Sequence, residues 1–398
     1  MDCSMPMAFD TYNYCTYQCL YCFTYYQNRW SKDYVDRNVK YVNVARVKKM
    51  FLNPPNNGFG DIIRNRMPMQ WGSLAEPFDI LLEPKYGITL ELLKFFREID
   101  YPIAFSTKSR WFLDDPRYVD VIRGAKNFHF KVSIITYDEE KARAVEQGVP
   151  TPKERLETIK ILSELGTAGV NLRLRPFIIG VSDPSHLQLI KDAASAGAQG
   201  VSTEFFCVEG RATELLKKRY LEISRQCGYD VLNFYKRYST GAGFYRLNYE
   251  IKRPYVLEME RVCKENGINL FISDANHKER CPWGSCCGLP KDWKFAKCQF
   301  TQAIVIAREK GEVSFSDISK EECQFLKTDV ASKGHKMIGG SSSIKYKSMY
   351  DYMRTVWNTP KKSTSPYKYF DKMLLPDRLD ENGDIVYKFN KKKYERND

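Results

Sequence analysis

Residues 13–23 read NYCTYQCLYCF and contain three cysteines, Cys15, Cys19 and Cys22, in a C-x3-C-x2-C spacing. Three thiolates on one short loop can bind three irons of a four-iron cubane, and they leave the fourth iron without a protein ligand. An open metal position of this kind is where a substrate or cofactor binds. A zinc site with a distant fourth ligand is the alternative. The spacing, Tyr21 before the third cysteine and a strand pattern before the loop favour the iron–sulfur cluster.

The sequence on either side of this loop alternates between short apolar runs and helical patterns, which is typical of βα units around a parallel sheet. The predicted strands are Met5–Asp10, Met67–Gly72, Tyr101–Thr107, Phe128–Ile135, Val170–Phe177 and Gly200–Phe206. The clearest helices are Thr89–Ile99, Pro152–Leu165 and His186–Ala196. We therefore expect an α/β fold, a partial (βα)6 TIM-like barrel. The cysteine loop follows the first strand, which places it at the carboxyl mouth of the sheet.

The pattern changes near residue 274. Residues 208–266 are expected to be mainly helical, and Asn269–Ile272 is a candidate extra strand. From Asp274 onward, cysteines, glycines and lysines replace the regular alternation. We predict a barrel core with its helical segment over residues 1–273, followed by a Cys-rich, basic C-terminal region over residues 274–398.

The composition of the 398 residues fits a globular protein, with 43% hydrophobic residues and a net charge of +13. No apolar run is long enough to cross a membrane, and Met1–Asp10 lacks the features of a signal peptide, so we expect a cytoplasmic protein without a membrane partner. Twelve cysteines in a reducing compartment indicate metal or redox sites rather than disulfides. The positive charge favours anionic partners, such as nucleic acid or nucleotides.

The motif C-x3-C-x-Tyr-C after a first strand resembles the radical S-adenosylmethionine (SAM) superfamily. The resemblance covers about residues 1–206, and four further segments are similar to its spore photoproduct lyase-like branch, whose members include DNA repair photolyase-like proteins. These segments are WGSLAEP at 71–77, STKS at 106–109, EQGVPTPKERL at 146–156 and RLRPFIIG at 173–180.

This resemblance implies a [4Fe–4S] cluster on Cys15, Cys19 and Cys22, with SAM bound through its amino and carboxylate groups to the open iron. It implies that an electron from the reduced cluster cleaves SAM to a 5′-deoxyadenosyl radical, which abstracts hydrogen from the substrate. The cofactors then carry the difficult chemistry, and the protein orients them. A reducing electron donor such as flavodoxin or ferredoxin is the expected redox partner.

Several residues at predicted strand ends are candidates for binding SAM. By resemblance, Lys108 is the partner of the SAM carboxylate, and as a point charge it suits that group. Gly72 and Ser73 end the second strand where the superfamily commonly has Gly-Gly-Glu, so the partner of the SAM amino group is either Ser73 or Glu76.

Three further polar residues lie on the later strands. Ser133, in the fourth strand, is a candidate to bond the ribose or the carboxylate of SAM. Arg175 and Glu204, near the ends of the fifth and sixth strands, are candidates to face the cofactor or the substrate. The alternative for each of them is a satisfied polar network within the barrel.

A second group of cysteines follows residue 274. Residues 280–288 read RCPWGSCCG, and Cys281, Cys286, Cys287 and Cys298 together form a C-x4-C-C-x10-C arrangement. Four thiolates could bind an auxiliary iron–sulfur cluster or a structural zinc ion. Because adjacent cysteines rarely bind one metal together, Cys323 or Cys263 could replace one of them. The alternative is a loop of unligated thiols.

Residues 331–370 carry seven lysines and one arginine against one aspartate, a net charge of +7. Interleaved aromatic residues could stack on bases while the cations follow a phosphate backbone. The alternative is a solvated basic surface whose aromatic residues pack on the barrel. The interleaved residues are Tyr346, Tyr350, Tyr352, Trp357, Tyr367, Tyr369 and Phe370.

Three functions are therefore compatible with the sequence. The first is a radical SAM enzyme acting on a nucleic acid or nucleotide. The second is a radical SAM enzyme that modifies a peptide or a small metabolite. The third is a non-catalytic, zinc-stabilised nucleic-acid-binding protein, which would explain the cysteines and the charge but not the βα series.

Overall fold

A computed structural model of the chain describes residues 5–27, 35–56, 58–210, 212–239, 244–295, 300–318, 349–362 and 364–394. Its central sheet has seven strands that neighbour one another in chain order, and every pairing between them is parallel. The strands are β1 (Met7–Phe9), β2 (Met69–Trp71), β3 (Ile103–Thr107), β4 (Phe128–Ser133), β5 (Gly169–Phe177), β6 (Gly200–Phe205) and β7 (Asn269–Ile272).

Helices surround this sheet and connect its strands. They are α1 (Thr24–Gln27), α2 (Val44–Leu52), α3 (Gly58–Arg64), α4 (Glu83–Tyr86), α5 (Ile88–Glu98), α6 (Pro116–Ile122), α7 (Glu139–Val145), α8 (Pro152–Glu164), α9 (His186–Ser195), α10 (Glu214–Cys227), α11 (Val231–Arg237) and α12 (Tyr249–Glu265). Short 3-10 turns cover Trp111–Leu113, Ala275–Arg280 and Pro282–Gly284. Two antiparallel pairs accompany the sheet, Gln18–Cys19 with Glu146–Gln147 and Cys207–Glu209 with Phe244–Arg246.

The main core lies between the sheet and its helices. Trp71 of β2 contacts Phe96 of α5 edge-on, at 5.6 Å between ring centroids, and it stacks on Phe105 of β3 at 5.2 Å. Phe105 in turn stacks on Phe130 of β4 at 4.7 Å. Successive side chains of a strand point to opposite faces, so the residues between these aromatic rings face the interior of the partial barrel.

The structure confirms the predicted fold class. All six predicted strands are present with bounds that differ by at most two residues, and Asn269–Ile272 is the seventh strand. Helix α8 begins where its sequence predicts, because Thr151 and Glu154 form a capping box before Pro152. The predicted helical segment contains α10, α11 and α12, but its antiparallel strand pair was not foreseen.

The C-terminal part of the chain forms a small antiparallel sheet of its own. Its strands are β8 (Glu312–Val313), β9 (Leu374–Leu379) and β10 (Ile385–Phe389), with β10 in the middle. It is accompanied by α13 (Phe300–Lys310), the 3-10 turn Phe315–Asp317, α14 (Met349–Trp357), α15 (Pro366–Tyr369) and α16 (Lys391–Tyr394). The domain boundary at residue 274 stays a prediction. No helix within the described ranges combines the length and apolar character that a membrane crossing requires.

Candidate active site

The loop with the three cysteines follows β1 and is held by backbone hydrogen bonds. Cys19 pairs with Glu146 in the short antiparallel pair, and the Leu20 amide donates to the carbonyl of Val145 at 2.9 Å. Arg219 of α10 donates to the carbonyl of Cys19 at 3.0 Å. The loop, residues 13–23, is therefore attached both to the segment after β4 and to a helix after β6. We call it the cluster loop.

A buried carboxylate anchors the first half of the cluster loop. Asp79 accepts hydrogen bonds from the amide of Thr16 at 2.7 Å and from its hydroxyl at 2.9 Å. The same carboxylate accepts from the amides of Leu81 and Leu82 at 3.0 Å. Because Asp79 satisfies donors on two separate segments, it fixes the cluster loop against the start of α4.

A second carboxylate anchors the other half. The Tyr21 hydroxyl donates to Glu146, and Arg155 of α8 donates to the other oxygen of Glu146 at 2.7 Å. Both members of this ion pair are about 1% exposed. Arg155 also donates to the carbonyl of Ser133 at 2.7 Å, so the chain of bonds runs from the cluster loop to the carboxyl end of β4.

The three thiols of the cluster loop differ in exposure. Cys19 is buried, whereas Cys15 and Cys22 are partly exposed. Burial raises the pKa of Cys19 to about 12, against the opposing effect of Lys108, and burial raises the pKa of Cys15 well above its usual value. Metal binding deprotonates a coordinating thiol, so these pKa values do not prevent ligation.

The donor set suits iron or another thiophilic metal. The carboxylates near the thiols are occupied by hydrogen bonds, which leaves sulfur as the available ligand type of the cluster loop. Within the described part of the chain, no three histidine, cysteine, aspartate or glutamate side chains form a group that would hold a single metal ion. A four-iron cubane requires a separate iron at each thiolate, so its ligands need not converge on one point.

Lys108 lies beside the cluster loop. It follows β3 directly, and its ammonium is 5.7 Å from the ring centre of Tyr21. Its charge also lowers the pKa of Cys19, although burial dominates there. A partly buried cation is thus placed at the carboxyl end of the sheet, next to the residues predicted to bind the cluster.

Gly72 and Ser73 lie in the turn after β2, as predicted, and Asp10 organises that turn. Its carboxylate accepts from the Ser73 amide at 2.8 Å, from the Ser73 hydroxyl at 2.5 Å and from the next two amides of the chain. Gly72 has a positive φ of 82°, and a Cβ there would lie 2.4 Å from the carbonyl oxygen of Ser106. Gly72 is therefore needed for a crowded turn rather than for an approach to a ligand.

Glu76 is buried between β2 and β3. Its carboxylate accepts from the Thr107 hydroxyl at 2.5 Å, the Lys108 amide at 2.8 Å and the Phe78 amide at 3.2 Å. Burial raises its pKa to about 7, although these hydrogen bonds act in the opposite direction. Glu76 therefore holds the backbone of Lys108 at the mouth of the barrel, a role that the sequence did not reveal.

The candidates on the later strands are Ser133, Arg175 and Glu204, and the structure places Ser133 apart from the other two. Ser133 is buried at the end of β4, and its hydroxyl accepts from Arg173 at 3.5 Å. Arg175 forms an ion pair with Glu204 of β6 and donates to the Ser273 hydroxyl at 3.2 Å. Arg175 and Glu204 therefore bind each other, which agrees with the polar-network alternative.

Four functional candidates were missed in the sequence. Asp10 and Asp79 attach loops to one another, and Glu146 with Arg155 supports Tyr21. The signal for Asp10 was its position as the last residue of a predicted strand. Asp79 has no such signal, because its partner Thr16 lies 63 residues away in the chain. Arg173 is a further interior residue beside Ser133.

The second group of cysteines lines the open side of the barrel. We call residues 281–293 the floor segment. The Cys281 thiol lies 3.1 Å from the amide and 3.2 Å from the carbonyl oxygen of Ile272, and the sulfurs of Cys286 and Cys287 are 3.9 Å apart. Cys298 and Cys323 fall outside the described residues, and Cys263 is buried in α12. A metal site here stays a prediction.

The floor segment crosses the interior from β7 toward the amino-terminal ends of β4 and β5. The carbonyl of Cys286 accepts from Ser273, and the carbonyl of Gly288 accepts from Asn171 of β5 at 2.8 Å. Trp293 contacts His129 near the start of β4, at 6.3 Å between ring centroids. The lower interior of the barrel is therefore closed by this segment.

The basic segment 331–370 is described only from residue 349 onward. Trp357 and Phe370 are fully buried, and Trp357 packs against Phe300, Phe315 and Tyr387 of the C-terminal unit. These two aromatic residues are therefore unavailable for stacking on bases, contrary to the first interpretation of this segment. Lys361 and Lys362 are exposed.

The parallel sheet and its surrounding helices form an α/β partial barrel, and this fold is shared with a solved enzyme structure. In particular, the chain is similar to a solved structure of spore photoproduct lyase with bound AdoMet and dinucleoside spore photoproduct. The match has a TM-score of 0.50 and 16% sequence identity, and it covers 69% of this chain and 78% of that one. At this identity the similarity establishes the fold.

Sequence comparison finds uncharacterized proteins of Mycobacterium bovis and Mycobacterium tuberculosis. Each is 27% identical over 250 residues, which covers 57% of this chain and 70% of the relative. No protein-family profile matches the sequence.

Proposed function

We propose that this chain is a radical SAM enzyme whose cluster loop binds a [4Fe–4S] cluster through Cys15, Cys19 and Cys22. The observation that carries the proposal is the position of this three-thiol loop. It lies at the carboxyl end of a parallel partial barrel, directly beside Lys108. In α/β barrels the chemistry is placed at this end. When bound, the cluster supplies the electron that cleaves SAM to a 5′-deoxyadenosyl radical.

The chain's own residues have the task of orienting SAM. We assign the SAM carboxylate to Lys108, whose ammonium is held near Tyr21. Between the two candidates for the SAM ammonium, Ser73 is better suited than Glu76. The Ser73 hydroxyl gives its proton to Asp10 and keeps lone pairs free to accept, whereas the Glu76 carboxylate already accepts three hydrogen bonds. The sequence left Ser133 as a candidate for the ribose or carboxylate of SAM. Because its hydroxyl accepts a hydrogen bond from Arg173 in the interior of the barrel, we assign it below to a separate site.

We propose a nucleic acid or nucleotide-like substrate. Two observations support this class: the net charge of +13, and the dinucleoside bound by the spore photoproduct lyase structure of similar fold. A peptide or small metabolite is the competing class, and product analysis separates the two. The expected electron donor, flavodoxin or ferredoxin, and a cytoplasmic location belong to the same proposal.

Anaerobic purification followed by iron and sulfide analysis tests the cofactor. Reduction with dithionite in the presence of SAM then tests for 5′-deoxyadenosine, with and without DNA, RNA or nucleotides. We expect a brown protein that forms 5′-deoxyadenosine. A colourless protein that contains zinc would instead support the non-catalytic nucleic-acid-binding alternative and would overturn the proposal.

Substitution of single cysteines sharpens this test. We expect Cys15→Ala, Cys19→Ala and Cys22→Ala each to abolish 5′-deoxyadenosine formation, because each removes one of three cluster thiolates. The matched control is Cys227→Ala, at the end of α10, which removes a thiol outside the cluster loop. Cleavage of SAM at the control rate by any of the three variants would contradict the assignment.

A further inference from the structure

The interior face of the partial barrel is polar. Lys131 of β4 donates to Gln70 of β2, and Gln70 donates to the Ser106 hydroxyl of β3 at 2.9 Å. Asn171 of β5 donates to the floor segment from the same face. Since side chains alternate along a strand, Ser133, two residues beyond Lys131, points to this interior as well.

One row of this face crosses three neighbouring strands. In the register of the sheet, Ser133 of β4 lies opposite Arg173 of β5, and Arg173 lies opposite Ser202 of β6. Arg173 thus has a serine beside it on each neighbouring strand. The Ser202 hydroxyl is buried and has no hydrogen-bond partner among the described residues. A buried hydroxyl in this state calls for a ligand that would satisfy it.

Arg173 makes no ion pair of its own within the described ranges, although the charge of Glu204 acts on it from nearby. One terminal nitrogen makes two long hydrogen bonds, to the Ser133 hydroxyl at 3.5 Å and to the Arg175 carbonyl at 3.4 Å. The neighbouring carboxylate, Glu204, forms its ion pair with Arg175 instead. Burial, reinforced by the charge of Arg175, lowers the pKa of Arg173 to about 10. Because Arg173 is only partly exposed and makes no ion pair of its own, an anion that binds beside it would stabilise its charge.

The row is enclosed from two sides. Tyr21 of the cluster loop and Cys287 of the floor segment both lie close enough to Arg173 to influence its charge. Asn171, two residues before Arg173 in β5, bonds to the floor segment, so the row lies one interior layer above the closed end. A ligand there would be held between the cluster loop and the floor.

We propose that the Ser133–Arg173–Ser202 row binds an oxyanion of the substrate, a phosphate in the case of a nucleotide. A planar guanidinium binds phosphate or carboxylate oxygens in pairs, and the two hydroxyls supply further donors at its sides. This inference rests on the proposed function for the identity of the substrate. Binding of the anion itself requires neither the cluster nor SAM cleavage.

The test measures anion binding on the full-length protein by isothermal titration and by thermal unfolding, with inorganic phosphate as the probe. We expect phosphate to bind and to raise Tm. Arg173→Gln should weaken phosphate binding at least about tenfold, because it removes a charge-assisted pair. Ser202→Ala should weaken it less. Arg225→Gln, an exposed position on α10, removes the same charge elsewhere and should retain binding.

Titration with SAM present distinguishes the two sources of an oxyanion. If phosphate binds equally well to the SAM complex, the row is separate from the SAM carboxylate site, as we infer. If SAM displaces phosphate, Arg173 is a SAM residue and the inference is overturned. Equal phosphate affinity of Arg173→Gln and wild type would also overturn it. Neither result depends on 5′-deoxyadenosine formation, so failure of the radical SAM assignment would be recognised independently.

Thermal unfolding without phosphate shows whether the variants are correctly folded. Because Arg173 makes only two long hydrogen bonds, Arg173→Gln should unfold at a Tm equal to or above that of the wild type. Should this variant misfold, Arg173→Lys provides the second comparison. A lysine at position 173 keeps the positive charge but cannot donate two parallel hydrogen bonds to an oxyanion. The phosphate affinity of Arg173→Lys should therefore lie between that of the wild type and that of the double variant Ser133→Ala/Ser202→Ala. Unchanged affinity in both of these variants contradicts the proposal.

Discussion

Buried charges attach the cluster loop to the barrel. The Glu146–Arg155 pair is the clearest case, because both side chains are buried and the pair also reaches Tyr21 and the carbonyl of Ser133. A buried ion pair is weak evidence for added stability, since desolvation opposes the attraction. Its contribution here is positional: it sets where the second half of the cluster loop meets the sheet.

We expect Arg155→Met to lower the free energy of unfolding by about 3–5 kcal/mol, because it leaves Glu146 buried without its counter-charge. The double variant Glu146→Gln/Arg155→Met should lose clearly less free energy of unfolding than Glu146→Gln and Arg155→Met lose together as single variants. Urea unfolding of the wild type, the two single variants and the double variant measures this double-mutant cycle. The control is Lys217→Met on the exposed pair with Glu214, which should change stability by less than about 1 kcal/mol. Additive losses would show that the pair is not coupled.

Single anchoring residues were harder to predict from the sequence than the ligands they support. The cysteines form a local motif, so their spacing alone indicated the cluster. Asp79 and Glu146 act on residues 63 and 125 positions away, and nothing in their neighbourhood marks those contacts. Arg173 was overlooked for a related reason: only the register of three strands places it between two serines.

Helices and strands were predicted well where the periodic pattern of apolar residues extends over a long segment. The buried strand β3 begins with three apolar residues, and β4 and β5 alternate apolar and polar residues, which the sequence shows directly. The pairs Gln18–Cys19 with Glu146–Gln147 are only two residues long, and such strands have no periodicity to detect. The floor segment was recognised for its cysteines, but its course across the barrel interior depends on long-range contacts.

The floor segment offers a paired test of packing. Gly288 and Gly284 both have positive φ, at 68° and 73°, so alanine is strained at either position. A Cβ at Gly288 would lie 2.4 Å from the Asn171 amide nitrogen, whereas nothing lies within 4 Å at Gly284. We expect Gly288→Ala to cost about 1–3 kcal/mol more than Gly284→Ala, because overpacking adds to strain. Equal urea midpoints for the two variants would mean that the floor is not packed on β5.

At the scale of the whole molecule, the C-terminal region is a packed part of the structure. Its aromatic residues belong to the hydrophobic core: Trp357, Phe370 and Tyr387 are fully buried around the sheet β8–β9–β10 and join the cluster that also contains the barrel residues. The composition could not reveal this, because alternating lysines and aromatic residues suit both a nucleic-acid surface and a small packed unit. The exposed lysines can still contact an anionic partner.

We therefore expect deletion of residues 349–398 to destabilise the protein. The deletion removes Trp357 from Phe300 and Phe315 and exposes the apolar face of α13. Thermal unfolding should show a lower Tm or a lost transition. In contrast, Lys361→Gln/Lys362→Gln should leave Tm nearly unchanged, since both side chains are exposed. An unaltered Tm after deletion would show that this unit does not support the rest of the chain.

The floor segment has a consequence for how a substrate would reach the proposed site. The hydrogen bond from Asn171 to Gly288 and the contact of Trp293 with His129 place the floor segment across the amino-terminal end of the barrel interior. Under the proposed function, a substrate would therefore enter, and a product would leave, at the carboxyl end past the cluster loop. A nucleic-acid strand that enters and leaves at one end is not threaded through the barrel. It would have to present one unit at a time, either at a chain end or by turning a base out of its stack.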